Sequence, residues 1–214
     1  MRILLIDHGS CDPPDTRAHR IRAGLPALGA TAAVCGPSAV PSLVAQPDGM
    51  FGMHLHDIAA ASRKFHAAVK SGLAAPLLAA LAGVSPRLLG LVRETARQGI
   101  AEAVDAVNPD AIAVFHAGVL ADLAIETGVP VVIHVAVGDL AAAGDGRVRE
   151  LVLAALGSCE AVAVEDAATA DTIRRDWAAD ASILEAAWTA GPEAARSEEH
   201  TAELQSPCNL VCRL

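Results

Sequence analysis

The chain has 214 residues, a formal charge of −9, and 53% hydrophobic but only 2% aromatic content. That is enough for one fair-sized domain packed by small aliphatic side chains. An acidic chain without a basic stripe argues against nucleic acid as a partner. The longest nearly apolar run, Gly72 to Val84, contains Pro76 and falls short of a membrane span, and Ile3–Ile6 is too short for the core of a signal peptide. Cys11, Cys35 and Cys159 have no metal-ligand spacing and fit a reducing compartment, so a cytoplasmic location and no metal are expected.

In chain order, Arg2–Ile6 reads as a buried first strand leading into Asp7-His8-Gly9-Ser10. A helix follows, with Asp15 able to cap it and Ile21, Leu25 and Leu28 forming its apolar stripe. Gly29 ends it, and Thr31–Cys35 is a second short strand. Gly36 to Met53 is rich in Gly and Pro and reads as loop, with a short strand near Met50–His54. His56 to Val107 is mainly helical. Ser85-Pro86 starts its last helix, and the stripe Leu89, Val92, Ala96, Ile100, Val104 and Val107 marks the buried face.

Two continuous apolar runs come next, Ala111–Phe115 and Val129–Val137, joined by a helix-compatible segment that ends at Gly128. Runs apolar at successive positions are covered on both faces, as in a parallel sheet, and a connector of this kind makes a βαβ unit. A further repeat places a helix at Val148–Leu156, a strand at Ala161–Val164, a helix at Asp166–Trp177 and a last strand at Ser182–Ala186. The alternation predicts an α/β fold with a doubly wound, mostly parallel, Rossmann-like sheet.

Ligands of such sheets bind beyond the carboxyl ends of the strands. The candidate binding residues are therefore Gly9 and Ser10 after the first strand, His116 and Gly118 after the Ala111–Phe115 strand, and Gly138 beside Asp139 after the next. Each also has a plain structural reading. Gly9 and Gly118 could be turn residues, His134 a core histidine inside its apolar run, and Asp139 a cap for the next helix. Arg63, Lys64 and Lys70, which include both lysines of the chain, precede the apolar Gly72–Val84 stretch. They could dock on an anionic membrane or belong to a helical hairpin.

Several segments together resemble the amino-terminal Rossmann-like domain of two-domain (GT-B) glycosyltransferases, particularly the retaining family 4. These are MRILLIDHG followed by PPDTRAHRIRAGLPALG, then NPDAIAVFHAG, GVPVVIHVAVGDL and GSCEAVAVEDAATADTIRR. Aligned on Asp139, the usual histidine of the family's catalytic loop falls at Ala136, and this chain carries His134 two positions earlier. The resemblance implies Asp139 and His134 as catalytic candidates, and a nucleotide-sugar as substrate with no separate cofactor. It further implies a small-molecule, glycan or lipid acceptor held mainly by this domain, with the donor held by a second Rossmann half.

Residues 196–214, RSEEHTAELQSPCNLVCRL, change composition abruptly and resemble the translation of a sequencing adapter. The expectation is a domain over 1–195, truncated before its donor half and inactive alone, followed by a non-native tail. Two rivals stand beside the transferase: a nucleotide-sugar epimerase of the same architecture, and a solitary Rossmann-like binding domain. The donor sugar, the acceptor, the stereochemical outcome and the oligomeric state are not legible.

Overall fold

A computed structural model of the chain describes residues 1–8, 17–37, 49–55, 58, 62–71, 74–143, 146–177, 179 and 182–183. Gly9, Ser10, Asp15 and the 196–214 tail lie outside the described residues. Among the described residues, seven strands form one sheet: β1 (Arg2–Asp7), β2 (Thr31–Pro37), β3 (Met50–Met53), β4 (Ala111–Phe115), β5 (Val131–Val135), β6 (Ala161–Val164) and β7 (Ser182–Ile183). Their spatial order is β3-β2-β1-β4-β5-β6-β7, and every pairing is parallel.

Helices α1 (Arg17–Gly24), α2 (Arg63–Ser71), α3 (Ala74–Ala82), α4 (Pro86–Val107), α5 (Ala121–Ile125), α6 (Val137–Ala143), α7 (Arg147–Ser158) and α8 (Ala167–Asp176) flank the sheet. The fold is thus the doubly wound α/β arrangement expected, built as a Rossmann-like domain.

The continuous apolar strands explain the layering. In β1, Leu4 and Ile6 enter the larger core with Val92, Ala96 and Ile100 of α4. Ile3 and Leu5 point the other way, onto Ala18 of α1 and Leu25. A strand buried on both faces has no solvent side to mark with polar residues, so its sequence does not alternate. Helix α4 begins where Ser85-Pro86 predicts: the Ser85 side chain accepts the Leu88 N–H at 3.3 Å. It ends at Asn108, whose left-handed backbone (φ 45°) lets its N–H cap the Val104 carbonyl. Gly99 of this helix stands over β3, where a β-carbon would lie 3.1 Å from Met53 Cγ.

Some boundaries differ from the sequence reading. The expected Val129–Val137 strand is trimmed to Val131–Val135. Pro130 has no N–H for the ladder, although its carbonyl accepts from Ile112. At the other end, the Asp139 carboxylate bonds the Ala136 N–H and turns the chain into α6, a helix the apolar pattern concealed. The connector between β4 and β5 holds only the five-residue α5. At the chain's last strand, Ser182–Ile183 is described and Leu184–Ala186 lie outside the described residues.

Candidate active site

Strands β1, β2 and β3 run outward to one edge of the sheet, and β4 through β7 run to the other. The direction of winding therefore reverses between β1 and β4. At such a switch point the connections leave toward opposite sides and open a crevice at the carboxyl ends of the two central strands. His8 is the first residue beyond β1, and His116 the first beyond β4. Parallel pairing of β4 with β5, in register Phe115↔His134, brings the end of β5 and the start of α6 alongside.

His8 is buried, and both its ring nitrogens are engaged by backbone. Nδ1 lies 2.9 Å from the Phe115 carbonyl, and Nε2 accepts the Leu120 N–H at 3.1 Å. These partners assign the neutral tautomer with its proton on Nδ1. Burial pushes the His8 pKa down from 6.5 to about 4, outweighing the Phe115 hydrogen bond that favours the charged ring. His8 is thus a neutral strut joining the end of β1, the end of β4 and the entry to α5. Gly118 sits directly against it: a β-carbon there would collide with His8 and with Leu78 of α3. The glycine is needed for this close approach.

His116 differs in every respect. Its side chain is 25% exposed, and its backbone has φ 74°, in the left-handed region that a non-glycine residue seldom occupies. Its own N–H closes the sheet ladder onto the His134 carbonyl at 2.9 Å before the chain turns. Its Nδ1 lies 2.9 Å from Asp139 Oδ1. Asp139, with a side chain only 2% exposed, is held further through Oδ2, which accepts the Ala136 N–H at 2.8 Å and the Ala117 N–H at 3.2 Å. The aspartate, third in α6, reaches back to the residue before the helix as the acidic member of a capping box does. It is at once a helix cap and an anchor for a histidine.

His134 and Gly138 frame this cluster differently. The His134 ring is buried in β5, tilted against Phe115 at 6.0 Å between centroids, with Nε2 3.9 Å from Glu165 Oε1. It meets His116 through its backbone carbonyl. Gly138 is exposed, and a β-carbon there would meet nothing within 4 Å. The structure therefore brings His116, Gly118 and Asp139 together with His8. The role of His8 escaped the sequence reading, although it ends a strand in the segment already singled out. The Ala117 and Ala136 N–H groups carry no sequence signal at all. Among the described residues, no group of three or more His, Cys, Asp or Glu is placed to hold a metal ion.

No protein-family profile matches the sequence, and no curated protein resembles it. Solved structures do share the fold. Sucrose-phosphate synthase from Thermosynechococcus elongatus superposes with a TM-score of 0.55 at 11% identity, over 86% of this chain and 48% of that one. A second structure of that synthase gives a TM-score of 0.52 at 10% identity, covering 86% of each chain. A UDP-N-acetylglucosamine 2-epimerase matches at a TM-score of 0.47 and 9% identity, over 82% of this chain and 45% of that one. The chain shares the Rossmann-like α/β fold of GT-B domains. The chain spans about half the length of the fuller synthase structure.

Proposed function

We propose that the domain is the acceptor-side half of a glycosyltransferase that moves a sugar from a nucleoside-diphosphate donor to an acceptor hydroxyl. The observation that carries this reading is the placement of His116 and its buried partner Asp139 at the sheet's switch point, on a domain of GT-B type. A polar pair at the mouth of an otherwise apolar sheet suits an acceptor whose hydroxyl must be oriented before transfer. The segment resemblances to family 4 and the length relation to the synthase support a second, donor-binding half in the parent protein. In the same reading, residues 196–214 are a non-native tail and the parent enzyme works in the cytoplasm. Among the described residues, no helix is long and apolar enough to cross a membrane. Exposed Arg63, Lys64 and Lys70 on α2 would offer any contact with a membrane-borne acceptor.

The test joins this chain, without 196–214, to the coding sequence that follows it in its parent gene. The product is incubated with UDP-, ADP-, GDP- and TDP-sugars, with and without simple glycan, polyol and lipid acceptors. Acceptor-dependent release of nucleoside diphosphate is expected. Epimerisation of a UDP-sugar without an acceptor favours the epimerase reading. Failure to bind any nucleotide-sugar overturns both and leaves a binding domain.

A further inference from the structure

We infer that Arg93 of α4 is a positioning residue of the crevice: from outside it, the guanidinium holds the segment Ala117–Leu120 that runs from His116 into α5. The inference rests on the crevice being the place where a ligand binds, as in the transferase reading, while the clamp itself stands on contacts within this chain. The segment is held at three points. Two of the holders belong to the site: Asp139 Oδ2 accepts the Ala117 N–H at 3.2 Å, and His8 Nε2 accepts the Leu120 N–H at 3.1 Å. The third is Arg93. Its Nη1 donates to the Val119 carbonyl at 3.4 Å and to Asp122 Oδ1 at 3.0 Å, and its Nη2 donates to Asp122 Oδ2 at 2.6 Å. One planar group thus grips both the residue before the N-cap of α5 and the first turn of that helix.

Helix α5 depends on such a grip. It has five residues, and the side chain of its N-cap Leu120 bonds none of the free N–H groups. A helix this short does not hold together by itself. Leu123 and Ala124 anchor its middle in the core, and His8 and Arg93 secure its entry from two sides. Arg93 can act as a fixed point because its neighbour Val92 is fully buried in the core. If the entry to α5 loosens, the Leu120 N–H leaves His8, and Gly118, which packs against that ring, loses its seat.

A second arginine joins the same two helices one turn further on and supplies the contrast. Arg97 Nε bonds Glu126 Oε2 at 2.8 Å, and its Nη1 bonds Glu94 Oε2 at 2.7 Å. These side chains are 43–57% exposed, against 16% for both Arg93 and Asp122. Water screens an exposed pair, so the outer one contributes little. The hydrogen bonds of Arg97 also go to side chains only, whereas Arg93 reaches the backbone of the segment. The outer arginine is a surface ion pair, and the inner one is a grip on the turn.

Native-state hydrogen exchange on the chain itself tests the clamp. The Ile112 amide, bonded to the Pro130 carbonyl within the sheet, reports global opening, and the Leu120 amide reports the entry to α5. In R93M the Leu120 amide should exchange about tenfold or more faster relative to Ile112, the loss expected for hydrogen bonds to a charged group. R93K keeps the charge without the planar fork, so its ratio should fall between those of R93M and the unaltered chain. If R93M does not fold, R93K decides by the same ratio. R97M should leave the ratio unchanged. An unaltered ratio in the Arg93 variants, with both amides faster together or neither, overturns the proposal, and so does an equal effect of R97M. In the parent protein, kcat/KM for the acceptor should fall about tenfold or more in R93M, as when a reacting group is misplaced, and stay unchanged in R97M. Unchanged kcat/KM in folded R93M overturns the positioning role. Absence of any turnover by the unaltered parent protein counts against the transferase reading instead, and the exchange ratio then decides the clamp.

Discussion

Gly118 and His8 are in contact so close that a β-carbon on residue 118 would stand 2.7 Å from His8 Cδ2. The imidazole cannot swing away, because the Phe115 carbonyl and the Leu120 N–H hold it at both nitrogens. Leu78 blocks the other side. Gly118→Ala should therefore destabilise the domain by about 2–3 kcal/mol, the range of an overpacked core. Urea unfolding checks it, and a change below about 0.5 kcal/mol, typical of a tolerant surface site, would show that α3 or His8 can move aside.

His8 also makes stability depend on pH. Its pKa is 6.5 when the chain is unfolded and about 4 in the fold, so between these values the unfolded chain binds the extra proton. Its contribution is fully present above pH 6.5 and is lost as pH falls toward 4. A displacement of that size corresponds to about 3 kcal/mol. Unfolding free energies measured at pH 7 and pH 4.5 should differ in this direction. His8→Gln, which has no ring to titrate, should flatten the difference, and an unchanged pH dependence in that variant would assign it to other groups.

Arg93 of α4 binds Asp122 of α5 through two hydrogen bonds of 3.0 and 2.6 Å, with both side chains 16% exposed. This bidentate pair pins the short helix that follows the site. Asp122→Ala leaves the guanidinium partly desolvated with a weaker partner in Glu126, 4.0 Å away. A loss of about 2 kcal/mol is expected, as for hydrogen bonds to charged groups. Double-mutant unfolding with Arg93→Met measures the coupling, and additive single effects would show that the pair is worth little.

Removal of residues 196–214 should leave the melting temperature within about 1 °C, as expected if the segment is foreign to the domain and adds nothing to its unfolding enthalpy and entropy. The motive is its composition and adapter-like sequence. Calorimetry of the chain with and without the segment gives the comparison. A drop of several degrees would make it part of the fold.

The sequence alone determined the layer architecture. Strand β6 falls at Ala161–Val164 and β4 at Ala111–Phe115, where their apolar runs predict, because full burial demands uninterrupted hydrophobic side chains. Ser85-Pro86 fixed the start of α4, since caps act through neighbours along the chain. The ends of strands were legible as places for a site, and His116, Gly118 and Asp139 were legible as its candidates. What each does was not. Whether a histidine is a buried strut or a partly exposed ring bound to a carboxylate depends on groups that arrive from far along the chain. Leu120 and Phe115 occupy His8 across more than a hundred residues, and Asp139 reaches His116 across 23. Two of those three partners are backbone groups that no residue name records. Only the parallel register of β1, β4 and β5, set by sheet pairing, brings them within hydrogen-bonding distance.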